Sequence, residues 1–242
     1  MIRFSFEVPI PHLYDFLPYQ DFIFTLQHLY AIPEYLEFLQ AIQSDQDIWI
    51  DNSYNEKMEA TSIKQLISAY DMLDPNSVKK VIAPDNPKWD VTRIQMEAED
   101  LGHQIGMDKV LLVANSHEMM ETLSQNLEID DPSRFAIAYR QRMLLSISEL
   151  KYFHGTHFLG LVDLNELIRI QPASCDTSMP IKLAIRGRTI KDWMLLGCPH
   201  IHTKDLGEAG LSFFNHKMSI EELELAYDNI IYLRNYIRGK VK

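Results

Sequence analysis

Residues 109–127 read KVLLVANSHEMMETLSQNL, and the way this stretch folds decides the reading of the whole chain. From Val110 to Ala114 every residue is apolar, so neither face of an extended segment could meet water. Such a run suits a strand of a parallel sheet buried on both sides. Beyond Asn115 and Ser116 the pattern changes to a mixed stretch of helical character.

The same alternation recurs along the chain. DFIFTL (21–26) precedes a helix opened by Pro33, and DIWIDNS (47–53) precedes MEATSIKQLISAYDML. VKKVIAPD (78–85) and RFAIAY (134–139) are each followed by a helix-like segment. So are THFLGLVD (156–163) and PASCD (172–176). With 109–127 these make seven strand–helix units, and a weaker eighth is read near CPHIHT (198–203). At 242 residues the repetition predicts an α/β fold, a (β/α)8 TIM-type barrel forming one domain over 1–242. A doubly wound open sheet is the rival, but neither G-x-G-x-x-G nor a P-loop is present. The last segment, SIEELELAYDNIIYLRNYIRGKVK, predicts an amphipathic closing helix capped by Ser219.

Composition bounds the rest. The chain is 46% hydrophobic and 24% charged, with no apolar run of membrane-spanning length. MIRFSFEVPIPHLYDF lacks a secretory signature, and two cysteines build no disulfide framework, so a cytoplasmic location is expected. The net charge of −11 argues against a protein that coats nucleic acid non-specifically. KLAIRGRTIK (182–191) carries four cations and no anion, which fits a solvated helix face or a phosphate contact.

Barrel chemistry sits at the C-terminal ends of the strands. Those ends carry Asp51, Asp85, Asn115, Tyr139, Asp163 and Asp176. Asp163, before LNEL, reads as a helix N-cap. Asp51 and Asp176 end strongly apolar runs and precede small polar residues. Two such carboxylates suit a retaining glycosyl transfer, with Asp176 as nucleophile and Asp51 as acid/base. Metal ligation or plain capping fits the same residues.

The motifs IDNSYNE, VIAPDNP, LLVANS, FAIAYRQ, HFLGLVDLNELI and CDTSMPIK together resemble the tRNA-guanine transglycosylase superfamily over roughly residues 20–205, most nearly its short phage and bacterial DNA-directed relatives. The resemblance implies a pentosyltransferase that exchanges guanine for a free 7-deazaguanine base in nucleic acid, DNA before tRNA. Asp176 would form the covalent glycosyl intermediate and Asp51 would move the proton. Asp85, Asn115 and Tyr139 would read the base, Tyr54 would stack on it, and Lys182 would face the phosphate. No organic cofactor or membrane is implied; a homodimer or an accessory protein is. The sequence departs from the family in lacking both glycines after Asp51 and in carrying Ala138-Tyr139 where a Gly pair is expected. A base-releasing hydrolase and a catalytically degenerate binding barrel are the alternatives.

GCPHIHTKD places Cys198, His200 and His202 two apart, so on a strand all three share a face. The superfamily's structural zinc site implies Cys198 and His200 as ligands, with His202 and His216 completing the set. The plain alternative is a buried Cys near two rim histidines. His157 reads as a satisfied strand-end histidine. His28 and His117 lie near strand ends without a partner evident in the sequence.

Overall fold

The computed structural model describes residues 1–160, 163–196 and 211–240. Eight parallel strands run in the order β1-β8-β7-β6-β5-β4-β3-β2: β1 (Arg3–Phe6), β2 (Ile23–Leu26), β3 (Ile48–Asp51), β4 (Val78–Ile82), β5 (Val110–Val113), β6 (Phe135–Ala138), β7 (His157–Leu159) and β8 (Ser174–Thr177). With helices between successive strands this is the (β/α)8 TIM-type barrel that the sequence predicts.

The seven quoted runs became β2–β8. The first strand is RFSF at the chain start, which the sequence reading passed over, and the segment 198–203 lies outside the described residues. RFSF escapes an apolar-run search because only half of it is apolar. Phe4 and Phe6 join the core under the helices, while buried Ser5 takes the other face.

The strands divide their side chains between two cores. Phe22, Phe24, Trp49, Ile82, Leu111, Val113, Ala136 and Leu159 fill the barrel interior. The alternate residues, including Ile48, Ile50, Val81, Leu112, Phe135, Ile137, Phe158 and Cys175, pack beneath the helices. The Pro33–Ile42 helix opens on its proline and Asp163 caps Leu164–Ile170, both as the sequence suggests, and Ser62 makes a capping box before Ile63–Tyr70.

Between β1 and β2 the ladder gives way to side chains. A backbone bond runs from Asp21 N–H to Phe4 O (2.9 Å). The remaining contacts are made by polar side chains. Asp21 Oδ2 accepts from Phe4 N–H (2.8 Å), and Ser5 Oγ accepts from Phe24 N–H (2.9 Å). The Gln20 amide clasps Phe6 at both N–H and carbonyl (2.6 and 2.9 Å). This seam satisfies strand-edge groups that would otherwise template association with another chain.

The closing helix, Ile220–Lys240, locks the seam from outside. Ser219 Oγ accepts from Glu222 N–H, making the cap that the sequence predicts. Arg234 Nη2 donates to Tyr19 O (2.6 Å), and its guanidinium pairs with Asp21 and lies 5.8 Å from the Phe4 and Phe6 rings. One turn earlier, buried Asn229 accepts from Ile190 N–H (2.8 Å) and donates to Pro180 O and Arg188 O (both 3.1 Å). Asn229→Ala would strand three backbone groups in a dry place. A loss of about 2–3 kcal/mol is expected, read as a melting temperature roughly 4–12 °C lower. An unchanged melt would show that water replaces the amide.

Among the described residues, no helix is long and apolar enough to cross a membrane.

Candidate active site at the C-terminal mouth

The strand ends carry two polar groups on opposite arcs of the mouth. The first surrounds Asp176, which faces inward from β8 and is 3% exposed. Its two carboxylate oxygens accept from Gly160 N–H at 3.1 and 3.2 Å. His157 Nε2 lies 3.2 Å from Oδ1, and His157 Nδ1 lies 2.8 Å from Ser174 Oγ. With Nε2–H directed at the carboxylate, Nδ1 accepts a hydrogen bond from the Ser174 hydroxyl, so the three groups form one directional chain. The ring stacks on Phe24 at 5.4 Å and meets Trp49, which fixes it within the apolar floor. His157 is thus a satisfied strand residue, as its sequence context suggests, and its partner is Asp176.

Gly160 turns at φ +65°, a left-handed conformation that favours glycine. Arg142 holds that turn from behind. Its guanidinium is buried and donates to Ile137 O (2.8 Å), Leu159 O (3.0 Å) and Gly160 O (2.8 Å). Nε pairs with Glu166 at 3.1 Å, and the Phe158 ring lies 4.4 Å away. Burial lowers the guanidinium's pKa and raises that of the Glu166 carboxyl, while their mutual attraction opposes both shifts. An arginine stays charged even so.

Glu7, just past β1, belongs to this arc. Burial pushes its carboxyl up, Lys182 pulls it down, Asp176 pushes it further up, and Ser178 hydrogen-bonds it. Lys182, expected to face a phosphate, sits on the Met179–Ile185 helix with its ammonium 5.0 Å from the Phe213 ring.

The second arc crowns β3, β4 and β5. Asp51 ends β3 and is 9% exposed. Next to it, Asn52 donates to Ala83 O and to Asp85 Oδ1, both at 2.7 Å. Asp85 is 7% exposed, and burial raises its carboxyl to about 6, with the Asn52 bond pulling the other way. Ser53 adopts φ +57° and Tyr54 N–H donates to Asn52 Oδ1 (3.0 Å), so the turn after Asp51 forms without the glycines the resemblance calls for. Asn115 lies beyond β5, and both atoms of its amide are shielded from solvent without a hydrogen-bond partner. Tyr139 opens the helical turn after β6, its ring 5.6 Å from the Arg142 guanidinium and its phenol raised by burial.

The predicted residues therefore share one rim but split between its arcs. Glu7 was missed because its strand was missed. Asn52 was read only as a departure from a glycine turn, and Arg142 left no signal in YRQR. Of the expected zinc ligands, Cys198, His200 and His202 lie outside the described residues, and His216 Nε2 is 3.2 Å from Glu222 Oε2. Among the described residues, no three His, Cys, Asp or Glu side chains are grouped to hold a metal ion.

No family model matches the chain, and no curated protein does. Among solved structures it is similar to QR15, an aldolase, at 8% identity and a TM-score of 0.48, over 74% of this chain and 89% of that one. It is also similar to a dihydrodipicolinate synthase family protein from Coccidioides immitis, at 10% identity and a TM-score of 0.45, over 86% of this chain and 80% of that one. These likenesses bring no activity to this chain, but neither neighbour is a guanine transglycosylase. The resemblance to the tRNA-guanine transglycosylase superfamily is therefore corrected, together with the pentosyltransferase, base-exchange and 7-deazaguanine readings drawn from it. Short strand-end motifs such as CDTSMPIK match because parallel barrels place polar turn residues after every apolar strand, whatever the chemistry.

Proposed function

We propose that the C-terminal mouth is the active site of an acid/base enzyme that moves protons on a small polar molecule, with Asp85 as the proton-exchanging group and Asp176 as a fixed acceptor. The observation that carries this reading is Asp85, a buried strand-end carboxyl raised to about 6. A carboxyl of that pKa gives and takes protons readily near neutral pH, whereas an ordinary one is almost wholly ionised there. Asp176, oriented by Gly160 and His157, supplies a hydrogen-bond acceptor on the opposite arc. A covalent route through a strand lysine has less support. The strand lysines are Lys79 and Lys80 of β4, and Lys80 Nζ reaches back to Asp108 O (3.3 Å), ahead of β5 and away from the mouth.

The test is solvent exchange. The protein is incubated in heavy water with a panel of small hydroxy, keto and amino compounds, and deuterium uptake at carbon is followed by NMR. Catalysed exchange in at least one compound is expected, with wild-type rates falling in Asp85→Asn and in Asp176→Asn. Exchange unaffected by both substitutions, or absent across the panel, would sink the reading.

A further inference from the structure

The mouth carries a contact that the acid/base chemistry does not use. Arg140 Nη1 lies 3.7 Å from the sulfur of Met58, joining the end of β6 to the turn that follows β3. In the sheet order β4 and β5 lie between those two strands, so the bridge spans the arc that holds Asp85 and Asn115. Arg140 is exposed, a thioether is a weak acceptor, and among the described residues the guanidinium meets no carboxylate.

Asn115 supplies the second observation. The β5–β6 register pairs Val113 with Ala136, and continuing it sets Asn115 beside Ala138, two residues before Arg140. An amide with both polar atoms hidden from water and unbonded is costly unless a ligand completes it. Its Nδ2 offers a donor and its Oδ1 an acceptor, so the complement is a molecule that presents an acceptor and a donor on adjacent atoms. Arginine adds a planar cationic fork suited to carboxylate.

We propose that Arg140 and Asn115 form a subsite for a small carboxylate bearing a hydroxyl or amine on the neighbouring carbon. The carboxylate pairs with Arg140 and accepts from Asn115 Nδ2, and the adjacent O–H or N–H donates to Asn115 Oδ1. The assignment rests on the reading of the mouth as an active site and names the class of its substrate.

Binding tests it without turnover. Glycolate, acetate and ethylene glycol are titrated into the full chain by calorimetry. Glycolate is expected to bind about tenfold tighter than acetate, and ethylene glycol not to bind. Arg140→Met, a surface change that removes the guanidinium and keeps an unbranched stem, is expected to weaken glycolate by about tenfold to a hundredfold. Asn115→Ala is expected to erase the preference for glycolate over acetate and to weaken acetate, which loses the Nδ2 donor but keeps Arg140, by about fivefold. Equal affinities for glycolate and acetate, or glycolate binding that ignores Arg140→Met, would overturn the subsite. Exchange that depends on Asp85 without carboxylate binding removes the subsite and leaves the acid/base reading. Glycolate binding as described without any exchange does the reverse.

Discussion

Arg142→Met is expected to destabilise the protein by about 3–5 kcal/mol, the range for breaking a buried ion pair from one side. The substitution keeps most of the volume, so the loss is electrostatic and not a cavity effect. It leaves the carbonyls of Ile137, Leu159 and Gly160 without their donor and Glu166 without its cation. Burial already raises the Glu166 carboxyl, and Arg142 is the group that holds it down. In the variant the folded-state pKa climbs further above the unfolded value. Folding then loses stability as pH rises through the carboxylate range, because the unfolded chain ionises first. The penalty should therefore be larger near pH 8 than near pH 5 in denaturant titrations, and Glu166→Gln in the same chain should recover part of it at the higher pH. A pH-independent loss would assign the whole effect to the three carbonyls.

Asp85→Asn is expected to move activity and stability in opposite directions. If Asp85 is the proton-exchanging group, exchange should fall by about 100- to 10,000-fold, the usual worth of a positioned acid or base. Stability should rise. The folded-state pKa of about 6 lies above the ordinary 3.8. Below about pH 4 both states hold the proton and Asp85 has no net effect on folding. As pH climbs from about 4 through about 6 the unfolded chain ionises first, and folding becomes poorer by roughly 3 kcal/mol. Asparagine removes that cost, and its carbonyl can still accept from Asn52. The variant should therefore gain on wild type over that pH window, read by denaturant titration at several pH values. A variant that loses activity and stability together would mean that Asp85 is a structural hydrogen-bond partner and not a poised acid.

What the sequence reveals and what it hides have physical causes. Seven strands were legible because burial on both faces writes an apolar run such as VLLVA into the chain. RFSF was not, because β1 faces a polar seam on one side and aromatic packing on the other. The carboxylates Asp51, Asp85 and Asp176 were legible as strand-end residues, since the barrel fixes where strands point. Their division between two arcs was not, because it depends on which neighbours supply donors: Gly160 and His157 for one, Asn52 for the other. YRQR contains two arginines two residues apart, one buried among carbonyls and one exposed beside Met58. Only the path of the chain around them decides which is which. The transglycosylase resemblance failed for a related reason: it was assembled from the turns that any barrel of this kind needs.

The seam has a consequence for how the protein is made. β1 is synthesised first, yet its ladder partner is residues 174–177 and its outer pin is Arg234. At ordinary rates of translation roughly 10–45 s separate the emergence of Phe4 and Phe6 from that of the residues that cover them. Through that interval the nascent chain trails an unpaired aromatic strand beside the ribosome. Final closure of the barrel must wait until Arg234 has emerged, and a chaperone that recognises short aromatic segments would meet this strand before the other strands of the barrel.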